Sequence, residues 1–457
     1  MSAIVQVPIA AGRFSFRDPA ARGESARPAL LDYCGTMELM SNNQFPKLRN
    51  LDLRPFSQDG RSGILLRDPL QLSDKMLMIP EGLLPVLSLC DGTRENASAV
   101  SASLAVRYGM NIPADTVEEL LDMLDQGILL DNDTFREAEQ RKLDEYRRSP
   151  YRLPVHAGQS YPADPEELRR LLDDYIEAAN GPAELAQPPL TITERSGIIS
   201  PHIDYERGGL IYAGVWNRAA KFVRAADLVV ILGTDHYEGE GALTLTRQNY
   251  ATPFGVLPTA RDLVDELAKA MGEERAFAQE LHHRTEHSIE LAAVWLHHIL
   301  GDRLCQIVPV LCGSFGRFMN DGLDPNADPT IGAFLSTLER VTQGRRVVFV
   351  AAGDLSHVGP AFGGDPLDLA GRARLRAADD EIIKRSCDGD AKGFLEAIRR
   401  VHDRNNVCGL SPIYLTLHLL GSAQGQRVAY DLCPADDQGT SVVSVCGVVL
   451  SDRLAQA

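Results

Sequence analysis

Gly197-Ile198-Ile199-Ser200-Pro201-His202-Ile203-Asp204-Tyr205-Glu206-Arg207-Gly208-Gly209 is the stretch on which the reading of this chain turns. A β-branched run stops at Pro201, and proline cannot donate to a ladder, so a buried strand ends there. His202 follows at the strand's carboxyl end, where open α/β sheets place their ligands. Two further apolar runs end alike. Leu228-Val229-Val230-Ile231-Leu232-Gly233 leads into Thr234-Asp235-His236, and Val347-Val348-Phe349-Val350-Ala351-Ala352-Gly353 leads into Asp354-Leu355-Ser356-His357. Strands of a parallel sheet share direction, so the three histidines can meet on one edge. A single strand-end histidine is well explained by a backbone hydrogen bond. Three of them, accompanied by Asp235 and Asp354, point to a site.

Around these runs the chain alternates strand and helix. Strands are expected at 227–232, 306–311, 346–352 and 442–450, with helices near 164–180, 209–223, 259–271, 286–300, 330–341, 366–386, 391–401 and 412–420. This makes residues 151–457 an α/β domain with a mixed sheet covered by helices on both faces. The 457 residues exceed one ordinary core. Residues 1–44 read as a flexible leader, 45–135 as a small domain and 136–150 as a charged linker helix, and 181–189 as a linker within the large domain. In the small domain a strand at 63–69, helices at 81–89, 95–108 and 117–126 and a returning strand at 127–131 give a winged-helix-like plan. Leu89-Cys90-Asp91-Gly92-Thr93-Arg94 and Leu124-Asp125-Gln126-Gly127-Ile128-Leu129 resemble the PqqD-like peptide-recognition domains.

Charge narrows the partners. Residues 46–133 carry eight Lys/Arg against fourteen Asp/Glu, and the whole chain is −17, so neither nucleic acid nor an anionic membrane is expected. A peptide or protein suits the small domain better. The eight cysteines form no C-x-x-C pair and are too sparse for a disulfide scaffold, and no secretory signal is apparent, which fits a reduced, cytoplasmic setting.

No phosphate loop, dinucleotide fingerprint or G-x-S-x-G elbow is present, so a metal centre is the simplest use of the strand-end histidines. Cys408 in Asn405-Asn406-Val407-Cys408-Gly409 reads either as a buried turn cysteine or as a soft ligand before a helix opening at Pro412. His287 and Glu290 share a helix face and either line the pocket or serve the helix dipole. Histidines 282, 283, 297, 298, 402 and 418 read as structural.

His156-Ala157-Gly158-Gln159-Ser160-Tyr161, Pro201-His202-Ile203-Asp204-Tyr205, Leu232-Gly233-Thr234-Asp235-His236, Glu286-His287-Ser288-Ile289-Glu290, Pro309-Val310-Leu311-Cys312-Gly313, Asp354-Leu355-Ser356-His357 and Val407-Cys408-Gly409 together resemble, in order, the motifs of the Memo family. Its bacterial members are called AmmeMemoRadiSam system protein B. The resemblance implies a fold similar to the class III extradiol dioxygenases. It implies one metal ion, iron or copper with zinc also compatible, held by His202, His236 and Cys408. Asp354 and His357 match polar residues beside that centre, with His357 in the place of an acid–base histidine. Asp204, Asp235, His287, Glu290, His156 and Tyr161 would line the pocket or support the ligands. The family pattern has Pro-His-Ala-Gly-Tyr and Pro-Ser-His where this chain has Asp204 and Asp235, which sets two acids beside two ligands. Radical-SAM and AMMECR1-like proteins of the same system are the implied partners. The implied activity is oxygen-dependent redox chemistry. A non-catalytic peptide- or partner-binding role beside a radical-SAM enzyme, and a zinc hydrolase or lyase, are the alternatives.

Overall fold

The computed structural model describes residues 3–6, 45–58, 61–180, 193–237, 243–320 and 322–451. Residues 7–44 of the expected leader, and the expected linker at 181–189, lie outside them. The chain divides into two compact units, 1–144 and 145–457.

In the first unit, strands β1 (Ala3–Gln6), β2 (Asp52–Gln58), β3 (Arg61–Arg67) and β4 (Lys75–Pro80) form a sheet in the order β1-β4-β3-β2. Helices α1 (Leu84–Leu89), α2 (Ala97–Tyr108) and α3 (Ala114–Gln126) stand where the apolar spacing places them. Asn96 caps α2 by accepting from Ala99 N, and Gly109 closes it in the left-handed conformation. Their apolar faces meet the sheet in a core that includes Leu66, Ile79, Val86, Leu104, Leu120 and Leu124. Two expectations are corrected. Residues 3–6, assigned to the leader, pair with β4 as a parallel strand. Residues 127–131 are no strand: Ile128 takes a left-handed φ of 58°, and only Leu130 makes a bridge, to Leu48. A β-branched residue in that conformation breaks the extended run that five apolar-rich residues suggest. The charged helix α4 (Asp133–Arg148) follows.

The second unit holds β5 (Arg195–Ser200), β6 (Leu228–Thr234), β7 (Leu243–Leu245), β8 (Tyr250–Thr252) and β9 (Gly255–Leu257). Next come β10 (Gln306–Cys312), β11 (Val347–Ala352), β12 (His357–Val358), β13 (Gln424–Pro434) and β14 (Val442–Ser451). Its helices are α5 (Pro165–Ala179), α6 (Tyr205–Ala225), α7 (Arg261–Met271) and the short α8 (Glu273–Ala276). Then come α9 (Ser288–Leu300), the short α10 (Arg317–Asn320), α11 (Pro329–Val341), α12 (Leu369–Cys387), α13 (Ala391–Arg399) and α14 (Leu410–Leu420).

The main sheet runs β12-β14-β5-β11-β6-β10-β7, with β13 paired to β14. Strands β5, β11, β6 and β10 are mutually parallel, and the outer strands are antiparallel to their neighbours. Alternate side chains of β6 divide between two cores, as period two requires. Leu228, Val230 and Leu232 pack with α7, α11, α13 and α14, whereas Val229 and Ile231 pack with α5, α6 and α9. The mixed sheet covered on both faces is the expected fold class. Among the described residues no helix is long and apolar enough to cross a membrane.

Register sets the site. Ala352 pairs with Ser200 on one side and Gly233 on the other, so β5, β11 and β6 end level. His202 lies two residues past Ser200, Asp354 two past Ala352, and His236 two past Thr234. One sheet edge therefore receives all three.

Candidate metal centre

Two overlapping groups of ligating atoms form at this edge: His202, His236 and His287, and His202, Asp354 and Cys408, each group lying within 4.8 Å. The three imidazole rings are in van der Waals range, with centroids 4.9 Å apart for His202–His236 and 4.8 Å for His236–His287.

Each imidazole has one nitrogen engaged. His202 Nδ1 lies 3.1 Å from Ala352 O, and a carbonyl only accepts, so Nδ1 carries the proton. His236 Nδ1 donates to the Glu286 carboxylate at 3.1 Å, and His287 Nδ1 to the same carboxylate at 3.0 Å. With Nδ1 so held in each ring, Nε2 is the atom turned toward the cluster and the one that a metal would engage. Burial, and then His236 and His287, hold the His202 imidazole well below its ordinary pKa, so it stays neutral. Burial alone would lower His236 too, but Glu286 outweighs it and the ring is shifted up. Glu286 is shifted well down, because the two histidines overcome its burial.

Cys408 arrives by a close crossing of loops. A Cβ on Gly353 would stand 2.5 Å from Gly409 Cα, and one on Gly409 would stand 2.5 Å from Asp354 O, so both positions demand glycine. The crossing puts Cys408 Sγ 3.2 Å from His202 Nε2. Burial, then Asp354, push the thiol well up, so it is protonated and donates to that nitrogen. Helix α14 opens at Leu410 rather than Pro412, directly after the Cys408-Gly409 turn. Asp354 is buried and pushed up to about 6; its Oδ1 accepts from His202 N at 2.8 Å and Ile203 N at 3.3 Å. The donor set suits a borderline or soft cation: imidazoles and a thiol whose proton a metal would displace.

His357 stands at the cleft beside this cluster, its ring against Phe362 at 5.0 Å. Its Nδ1 faces Leu355 O at 3.3 Å. Burial pulls its pKa down to about 4. The cleft encloses about 570 Å³ and includes Asp235, His236, Cys408 and Leu410 in its wall.

The remaining expected residues fall into three places. Asp235 is buried and paired with His282 Nδ1 at 2.8 Å. His156, Tyr161 and Glu290 form a second network centred on Arg152: Glu290 accepts from the Arg152 guanidinium, from Tyr161 Oη and from His156 N. It meets the cluster through the Arg152 Nη2 bond to Glu286 O at 2.8 Å and the edge contact of His156 with His287, centroids 5.8 Å apart. Asp204 points to neither. It caps α6, accepting from Arg207 N at 3.0 Å and pairing with the Arg207 guanidinium. As an acid at a helix start with an arginine three residues on, it is read fully by capping.

Glu286, which shares one face with Glu290 by spacing and reads from sequence as either a pocket residue or a helix-dipole partner, belongs to the pocket. Gly233 lets α9 approach, since a Cβ there would meet Ser288 Oγ and Ile289 Cγ1 at 2.6 Å. Glu286 also accepts from His236 N, His287 N and Ser288 N at 2.8–3.1 Å. One carboxylate thus orients two rings. Glu286→Gln is expected to weaken metal binding about 10- to 100-fold, the range for losing an outer partner of a ligand. Competition with a chromogenic chelator measures this, and an unchanged affinity would remove Glu286 from the centre.

A family model for Memo-like proteins matches residues 152–449. A MEMO1 family protein of Aquifex aeolicus is 27% identical over 410 residues, covering 88% of this chain and 99% of that protein. A match of that extent exceeds the second unit alone, so it reaches into the first. MEMO1 family proteins of Methanosarcina barkeri and Archaeoglobus fulgidus, 28% and 26% identical, cover 61% and 65% of the chain and 91% and 98% of their own lengths. With the family model spanning the sheet and every element that carries the cluster, the chain belongs to the Memo family.

Proposed function

We propose that this chain is a metal-dependent redox protein whose centre is held by His202 and His236, with His287 and Cys408 completing the donor set. The observation that carries the reading is the clustering of three imidazoles, each held through Nδ1, beside the Cys408 thiol. Iron or copper bound there would supply electron transfer and Lewis acidity. The chain's own residues do the rest. Asp354 holds the His202 backbone through Oδ1, and with its pKa near 6 it can carry or release a proton close to neutral pH. His357 is neutral at pH 7, its ring turned to the backbone of Leu355 and Asn406, and its low basicity makes it hand back readily any proton it takes up. Phe362 shields the ring from water.

Full-length protein purified without oxygen is expected to carry about one metal ion per chain and to change its absorption spectrum on adding oxygen or a reductant. Protein that holds no metal would sink the reading. Protein that exchanges zinc with no response to oxygen or reductant would transfer it to hydrolase or lyase chemistry.

A further inference from the structure

The cleft beside the cluster is unusual in its charge. Among the described residues that line it there is no lysine and no arginine, while Asp235 and Asp403 both do so. Asp235 is satisfied by His282. Asp403 is not: its carboxylate accepts only Val407 N, at 2.9 Å, and no ion pair reaches it among the described residues. Two neighbouring guanidinium groups are committed elsewhere: Arg400, which shares a smaller cavity of about 180 Å³ with Asp403, is paired with Glu381, and Arg404 donates to Val401 O.

The loop that presents Asp403 is held in a sparsely populated conformation. His402, Asp403 and Asn406 have φ of 51°, 47° and 49°. It is tied to His357 on both sides, by His357 N to Asn405 O at 2.7 Å and Asn406 Nδ2 to His357 O at 3.3 Å. Burial pushes the Asp403 carboxyl up to about 6, against the Val407 N–H, so it is ionised at pH 7.5 and lacks a counter-charge. A half-buried carboxylate without a cation is a costly arrangement. Phe315, Phe362, Val407 and Leu410 also line the cleft and make the rest of its wall partly apolar.

We infer that the cleft takes an amine, with an apolar ring-sized body against Phe362 and Leu410 and its ammonium group on Asp403. This rests on the cleft's being the working site of the proposed metal centre. At the Asp403 end of the cleft a carboxylate or phosphate would meet a like charge, and no lysine or arginine lines that wall to offset it.

Phenethylamine and phenylacetate, which share a ring and differ in charge, test this by calorimetric titration of full-length protein with its metal content measured beforehand. Phenethylamine is expected to bind at least about tenfold tighter than phenylacetate, the scale of one charge-assisted hydrogen bond. Asp403→Asn is expected to abolish most of that difference. Asparagine tolerates the left-handed φ and still accepts from Val407 N, so the loop, the bound metal and the melting temperature should be unchanged. Phenylacetate binding as tightly as phenethylamine, phenethylamine not binding, or an Asp403→Asn protein that keeps wild-type amine affinity would each overturn the inference. Failure of the metal reading shows separately, as absent metal in the wild type.

Discussion

His202→Ala protein purified without oxygen is expected to hold metal at least about 100-fold more weakly than wild type, beyond the loss of an outer partner. His202 is the one residue common to both groups of ligating atoms, so no alternative placement of the ion within the cluster avoids it. It is also the ring kept neutral by burial, with Nε2 aimed at Cys408 Sγ. The companion variants His287→Ala and Cys408→Ser distinguish the two sides. An ion lodged among the imidazoles makes His287→Ala the more damaging, and a soft ion drawn to sulfur makes Cys408→Ser so. The expected order places Cys408→Ser second to His202→Ala, because only sulfur changes the class of ion that the site prefers. Elemental mass spectrometry on protein whose circular dichroism matches wild type gives the answer. Near-stoichiometric metal in His202→Ala would remove the whole ligand assignment.

The strand-end histidines were legible because two simple rules combine. A proline or glycine ends each apolar run, and parallel strands of equal register end at one level, as Ser200, Ala352 and Gly233 do. What supports those histidines was less legible, since it comes from segments with no period of their own. Glu286 lies just before α9 and acts through Gly233's lack of a side chain, a contact that neither local pattern announces. Strand β13 has half-exposed residues along most of its length, and without an apolar face it gave no signal. Asp204 was conspicuous by its place next to His202, but adjacency in sequence at the start of a helix means the opposite direction in space, and its carboxylate turns back to α6. The metal, its chemistry and the ligand's charge rest on proposals that the ligand variants and the amine titration can each break.

Arg152→Met is expected to lower the melting temperature by about 6 °C. Arg152 is 1% exposed, yet nothing in Tyr151-Arg152-Leu153 distinguishes it from a surface arginine. Its guanidinium pairs with Glu290 and donates to His283 O and Glu286 O at 2.8 Å and to Leu153 O at 2.9 Å. Removing one partner of a buried pair costs about 3–5 kcal/mol, chiefly because the other charge is stranded. In a unit of about 310 residues each kcal/mol is worth roughly 1.5 °C. The double variant Arg152→Met/Glu290→Gln separates the two contributions. Glutamine has no charge to strand and can still accept from Tyr161 Oη and His156 N, so the double variant should melt several degrees above Arg152→Met alone. If it does not, the guanidinium matters through the three carbonyls it holds rather than through its charge. In that case the damage should pass to the centre, because Glu286 O is one of the three. Metal affinity would then fall in step with stability in both variants, whereas a purely electrostatic cost leaves it close to wild type.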